Sequence, residues 1–147
     1  MQQTAMTNLN RWMSGAAVVL IAYSASAIGQ DRVTVWDRVY TAEQADRGEK
    51  LYAETCAQCH GDGLSGVEAA PALTGPVFYD KWEGETAQAL FDRMRTMPPE
   101  KPGALTRPQT ADVLAHMLRV GGYPAGDTPL DSTAGALARI TMKMYRP

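Results

Sequence analysis

Apolar positions recur every three to four residues in three stretches of this chain, and each stretch opens on a residue suited to cap a helix. In the first, Ala45, Gly48, Leu51, Tyr52 and Thr55 share one face. Thr41-Ala42-Glu43-Gln44 ahead of it has the form of a capping box, in which threonine caps the helix start and glutamine reaches back to it. Glu43/Arg47 and Asp46/Lys50 form i,i+4 pairs on the opposite face. Gly48 falls in mid-helix, where glycine costs about 1 kcal/mol relative to alanine, so a second helix is predicted to cross there.

The second stretch, capped by Thr86, has Ala87, Leu90, Phe91 and Met94 at helical spacing. It cannot run past Met97, because Pro98 disfavours helical geometry in the residue before it, and Pro99 and Pro102 prevent resumption. Met97 is then the first side chain off a helix end, held extended by the prolines. The third stretch starts at Thr106-Arg107-Pro108-Gln109, again a capping box, with an early proline. It carries two apolar stripes, Ala111/Leu114/Met117/Leu118 and Val113/His116/Val120, and one of them is assigned to the first helix near Gly48. Gly121-Gly122 and Pro124 end it.

The remaining segments carry less pattern. Residues 28–40 have no helical period and read as an extended arm anchored by Trp36 and Tyr40. Residues 61–76 are a loop rich in glycine and proline, with Val67, Leu73, Val77 and Phe78 as apolar material to bury. Phe78, Tyr79 and Trp82 form an aromatic cluster. From Asp127 onward the tail is weakly patterned, with Leu130, Leu137 and Ile140 as anchors and Met142 and Met144 in weakly structured chain.

The first 27 residues stand apart. A polar start with one basic residue, Arg11, leads into the apolar run Trp12–Tyr23 and the small-residue site Ala25-Ser26-Ala27. This is the pattern of a secretory signal peptide cleaved after Ala27, and the apolar run is short of the roughly 20 residues that a membrane span needs. The expected organisation is therefore a leader at 1–27 and one domain at 28–147. The 147 residues carry 14 Lys and Arg against 16 Asp and Glu, a formal charge of −2 that becomes −3 when Arg11 leaves. No basic run points to nucleic acid or anionic lipid, no stable membrane insertion is expected, and a mildly acidic surface suits a partner with a basic docking face.

The chemistry resides in Cys56-Ala57-Gln58-Cys59-His60. A Cys-X-X-Cys-His run is a covalent haem attachment site: the thiols add to the two vinyl groups, and the adjacent histidine is the fifth ligand of the iron. A redox dithiol would need a βαβ surround, and what precedes Cys56 reads as a helix. Zinc would need four ligands, whereas outside the run the chain has no cysteine and one histidine, His116. Both cysteines are consumed by one haem c, and export fits, since such haems are attached outside the cytoplasm. The other stripe of the last helix is then assigned to the haem pocket, His116 being placed on the helix-contact face, and Trp82 is a candidate partner for a haem propionate or, more blandly, a core residue.

Candidates for the sixth ligand are the methionines and His116. Met1, Met6 and Met13 leave with the leader, Met94 and Met117 lie on packing stripes, and Met142 and Met144 lie in the tail. Met97 has the loop mount and is the assigned ligand. Histidine and methionine together fill the coordination sphere and leave the iron to exchange an electron.

On these residues the chain resembles the class I cytochromes c, specifically periplasmic haem subunits or domains of quinoprotein and molybdenum dehydrogenases. The resemblance spans roughly residues 35–140. It rests on Trp36-Asp37 with Val39-Tyr40-Thr41, Gln44-Ala45 with Arg47-Gly48, Cys56 to Gly61, Pro71-Ala72-Leu73-Thr74-Gly75, Met97-Pro98 with Pro102-Gly103, and Tyr123-Pro124-Ala125-Gly126. It implies an all-α fold wrapped around one haem, the Pro71 carbonyl accepting the Nδ1 proton of His60, Leu73 against the haem face, Met97 as distal ligand, and a helix crossing at Gly48. The chain departs from the pattern at Arg38, where glycine is usual, at His116, where an aromatic residue usually packs, and at Gly121, where asparagine is common.

The expected function is that of a periplasmic electron carrier, not an enzyme, passing electrons from a dehydrogenase to an oxidase or another cytochrome. Its rivals are a tightly bound haem subunit of a dehydrogenase complex and a haem enzyme or gas sensor with an open iron.

Overall fold

A computed structural model describes residues 33–68 and 70–146. The expected leader, 1–27, and the start of the arm, 28–32, lie outside the described residues. Six helices and one short strand pair follow in order: β1 (Val33–Thr34), α1 (Ala42–Thr55), α2 (Ala57–His60), α3 (Pro76–Trp82), α4 (Ala87–Met94), α5 (Arg107–Val120), α6 (Ala134–Leu137) and β2 (Ile140–Thr141). The architecture is all-α as expected, with one addition, for β1 pairs with β2 in parallel, Val33 opposite Ile140. Among the described residues no helix is long and apolar enough to cross a membrane.

Gly48 is where the fold is decided. A Cβ there would lie 1.8 Å from the backbone oxygen of Asp112 and 3.0 Å from the Cβ of His116, so α1 and α5 cross backbone to backbone at the missing side chain. Around the crossing, Ala45, Tyr52, Val113, Leu114 and Ala115 are buried. The charges behave differently from the i,i+4 expectation, because α5 passes close enough to take them. Arg47 makes a two-pronged contact with the Asp112 carboxylate at 3.0 and 2.9 Å, and Arg119 reaches Asp46 and Glu49 at 2.5 and 2.8 Å.

Capping corrects a second detail. Thr106 and Gln109 form the reciprocal box. Thr41 caps α1 by accepting from the Gln44 amide, but the Gln44 side chain turns inward, donating to the Leu130 carbonyl at 3.1 Å and accepting from the Leu130 amide at 2.7 Å. The amide group thus satisfies a buried stretch of tail backbone as a strand would. We expect Gln44→Ala to leave that peptide unpaired and to cost about 1–3 kcal/mol in denaturant unfolding, well beyond the loss of an exposed cap contact.

Helix α4 ends at Met94, three residues short of the limit set by Pro98. The next amides close tight turns, Thr96 to Arg93 at 3.1 Å and Met97 to Met94 at 3.0 Å, and the Thr96 hydroxyl donates to the Arg93 carbonyl at 2.8 Å. The second stripe of α5 stops at His116, since Val120 in the last turn is exposed. In the loop, Leu73 is half-buried and Phe78 buried, whereas Val67 and Val77 face outward, the latter on the first turn of α3 away from the core.

The tail is more ordered than its pattern suggests. Leu130, Leu137 and Ile140 are buried as anchors, and so are Met142 and Met144. Tyr40, the arm anchor, donates to the Tyr123 carbonyl at 2.6 Å, Tyr123 donates to the Met144 carbonyl at 2.9 Å, and Trp36 packs 4.7 Å from the Tyr123 ring. Burial holds the Tyr123 hydroxyl above its ordinary pKa, so it remains a donor at any physiological pH. Period-2 pairing over two residues is too short a signal to read, which is why the tail looked loose.

His116 sits in the crossing, its ring 5.3 Å from Tyr52. Arg119 lies 3.3 Å from its Nδ1, and because a guanidinium only donates, that nitrogen is unprotonated. Burial first, and Arg119 second, push the imidazole below its ordinary value, against an opposing pull from Glu49. The unfolded chain therefore binds this proton more readily than the folded one. The associated stability is fully present above about pH 6.5 and is lost as the pH falls through the folded value. Urea midpoints should drop between pH 7.5 and 5.5, and His116→Tyr should flatten that drop; equal slopes would sink the assignment.

Candidate haem site

Helix α1 delivers the cysteine motif. Cys56 is at once the C-terminal cap of α1, its amide bonded to the Tyr52 carbonyl at 2.8 Å, and the N-terminal cap of the single turn α2. Its carbonyl accepts from the amides of Cys59 and His60 at 3.1 and 2.9 Å, which sets both thiols one turn apart on a common face. Both are free, Cys56 half-buried and Cys59 exposed. Burial, and the neighbouring Cys59, raise the Cys56 thiol above its ordinary value, so it stays protonated at neutral pH.

His60 is fixed by the loop that follows it. Its Nδ1 lies 2.7 Å from the Pro71 carbonyl oxygen. A carbonyl only accepts, so Nδ1 carries the proton and Nε2 is the nitrogen left with a free lone pair. The loop that brings Pro71 there is knotted to the motif by its own backbone. Gly66 donates to the His60 carbonyl at 2.8 Å, Leu73 donates to the Leu64 carbonyl at 2.8 Å, and Val67 and Ala70 exchange both bonds of a bridge at 3.0 Å.

Three residues to which the sequence reading gave no part in the haem site build this geometry. Gly66 has φ +77, and a Cβ on it would lie 2.6 Å from the Ala72 nitrogen and 2.9 Å from the Pro71 carbonyl carbon, so the loop can double back only on glycine. Leu64 takes the left-handed conformation at φ 59 with its side chain fully buried, an arrangement for which leucine gives no sequence signal. Tyr52 donates its hydroxyl to the Gly61 carbonyl at 2.7 Å, and burial, first, holds that hydroxyl up to about 12. Its place four residues before Cys56 on the buried face was visible; its reach beyond the motif was not.

The remaining candidates lie on separate segments. Leu73 is half-buried against the core, in a set that includes Cys56, Ala57, Tyr79, Trp82, Met94 and Leu105. Trp82 packs 6.2 Å from the Phe78 ring, with the Lys81 ammonium 5.6 Å from its own ring centre. Met97 is half-buried in the loop after α4, which is closed by the Gly103 amide on the Arg95 carbonyl at 3.0 Å and by Lys101 on Pro98 at 2.9 Å. Paired thiols one turn apart, an imidazole with one nitrogen committed, and partly buried apolar side chains around them fit a covalently bound haem.

Comparison with known proteins agrees. Residues 43–117, just over half of the chain, match the family model described as Cytochrome C oxidase, cbb3-type, subunit III. No curated protein sequence matches. Among solved structures, the crystal structure of the sulfane dehydrogenase SoxCD from Paracoccus pantotrophus superposes with a TM-score of 0.50 at 21% identity, over 73% of this chain and 61% of that one, a likeness of fold. The chain spans less than two thirds of that relative. A cytochrome c domain of this kind holds haem c through its paired cysteines and moves electrons without transforming a substrate. With its cysteine motif, its crossing helices and the family match over residues 43–117, the chain belongs to the cytochrome c family described as Cytochrome C oxidase, cbb3-type, subunit III.

Proposed function

We propose that the protein is a periplasmic electron carrier whose haem iron is held by His60 and Met97, that it takes electrons from a dehydrogenase, and that it passes them to an oxidase or another cytochrome. The observation that carries the reading is the His60–Pro71 contact of 2.7 Å, which commits Nδ1 and leaves Nε2 as the ligating nitrogen. When bound, the haem supplies a one-electron centre. The chain's part is to attach it through Cys56 and Cys59, to orient His60 through Pro71, to pack Leu73 on its face, to offer the Trp82 indole to a propionate, and to present Met97 from a closed loop. If His60 and Met97 both ligate the iron, oxygen and peroxide would find no open coordination position. Residues 1–27 act as a cleaved export signal, and 28–147 form the working domain.

A mature charge of −3 suits a donor or acceptor with a basic docking face. The interface would be small and transient, as redox encounters are. A permanent place in a dehydrogenase complex is the other outcome of the same experiments. The purified oxidised protein should show the near-infrared band of methionine-sulfur ligation, its reduced form should not take up carbon monoxide, and its mass should correspond to a chain beginning at Ile28 plus one haem. Ready carbon monoxide binding would overturn the carrier reading in favour of a sensor or enzyme. Isolation from the native host, alone or with a dehydrogenase, separates a shuttle from a subunit.

A further inference from the structure

Near the N-terminal end of α1, the end opposite Cys56, Trp36, Arg38, Pro124 and Arg146 line a half-open cleft of about 300 Å³. Helix α1 has 14 residues, about 21 Å of rise, so this cleft is well removed from the cysteine motif. The groups it gathers are donors and cations. The Arg146 guanidinium lies 5.6 Å from the centre of the Trp36 ring. The Trp36 indole N–H is buried and has no hydrogen-bond partner among the described residues. That nitrogen is out of reach of a molecule in the cleft, so the indole serves the cleft as a wall and not as a donor.

Arg38 is the more telling residue. It adopts φ 57, the left-handed region that glycine enters freely and a branched-free cation does not. The backbone around it is closely packed: a Cβ on Gly126 would lie 2.3 Å from the Arg38 carbonyl oxygen, and the Gly126 amide donates to the Tyr40 carbonyl at 2.7 Å. The guanidinium is therefore kept at a conformational cost. It is not kept for an internal ion pair, because among the described residues the carboxylates within 4 Å of a cation pair with Arg47, Arg119 and Lys143. The adjacent Asp37 carboxylate is turned to the Thr34 amide and hydroxyl at 2.6 and 2.9 Å.

We propose that this cleft binds a small oxyanion group, a carboxylate or an inorganic oxyanion, between Arg38 and Arg146, with Trp36 and Pro124 as its walls. Two fork-shaped cations recognise two or three oxygens on one centre. The site is distinct from the haem pocket and does not depend on how the iron is ligated.

The test uses the reduced holoprotein labelled with nitrogen-15, the Trp36 indole signal being assigned with Trp36→Phe. Sulfate, acetate and an end-blocked Asp-Asp peptide are titrated against chloride at constant ionic strength. A saturable shift of the Trp36 signal with sulfate or acetate supports a free-oxyanion site; a shift with the peptide alone supports a carboxylate presented by a partner. Arg146→Ala should weaken binding about tenfold. Arg38→Gly should do the same while raising the melting temperature, since it removes the cation and the left-handed strain together. No saturable shift beyond chloride with any titrant, or affinities unchanged in both variants, overturns the proposal.

Discussion

Gly48→Val is expected to cost at least about 3 kcal/mol and to leave little folded protein at 37 °C, the upper end of what overpacking does. The added Cβ meets the backbone oxygen of Asp112 at 1.8 Å, and a backbone cannot swing aside as a side-chain tip can. Relief requires α1 and α5 to move apart, which opens the contacts of Ala45, Tyr52 and Leu114 and lengthens the Arg47–Asp112 contact at once. Gly48→Ala isolates the effect. Alanine gains about 1 kcal/mol of helix propensity over glycine, so a loss on that substitution measures the crossing alone. Gly135 in α6 is the control, because a Cβ there meets nothing within 4 Å, and Gly135→Ala should be neutral or stabilising. Denaturant midpoints of the three variants decide; a stable Gly48→Val would refute the crossing.

Met97→Ala is expected to abolish the near-infrared band of the oxidised protein, to lower its reduction potential and to open the reduced iron to carbon monoxide. The effect is all-or-none, because a ligand removed leaves a coordination position and not a weakened contact. Met94→Ala is the comparison. Its side chain is half-buried against the core, so truncation should cost about 2–5 kcal/mol or less of stability and leave the band in place. The opposite pattern would move the ligand from the loop to the helix. Because the loop around Met97 is closed by backbone bonds from Gly103 and Lys101, the alanine variant should keep its helical circular dichroism, which separates lost ligation from lost folding.

What was legible in the sequence follows from what kind of information a residue carries. The crossing at Gly48 was readable because a glycine in a helix is a cost with few explanations. The 2.7 Å contact of His60 with Pro71 was reached through family resemblance and not through spacing, since eleven residues of irregular loop have no periodicity to follow. Gln44 shows the opposite failure: its position three after a threonine is a local signal, and a long-range need, the Leu130 peptide, overrode it. Arg47 and Asp46 were paired along their own helix for the same reason, and α5 took them. Leu64 could not have been found at all, for nothing in leucine announces a left-handed backbone.

The parallel pairing of Val33 with Ile140 joins segments more than a hundred residues apart. Closing so long a loop is entropically only slightly dearer than closing one of half the length, about 0.6 kcal/mol per doubling. Its burden is kinetic, since distant contacts form late. The backbone of Cys56 and His60, by contrast, is held by bonds to Tyr52, Cys56 and Gly66, all within ten residues. The attachment turn can therefore take shape in a chain whose ends have not yet met, and the β1–β2 latch closes over a domain that already knows where its cofactor goes.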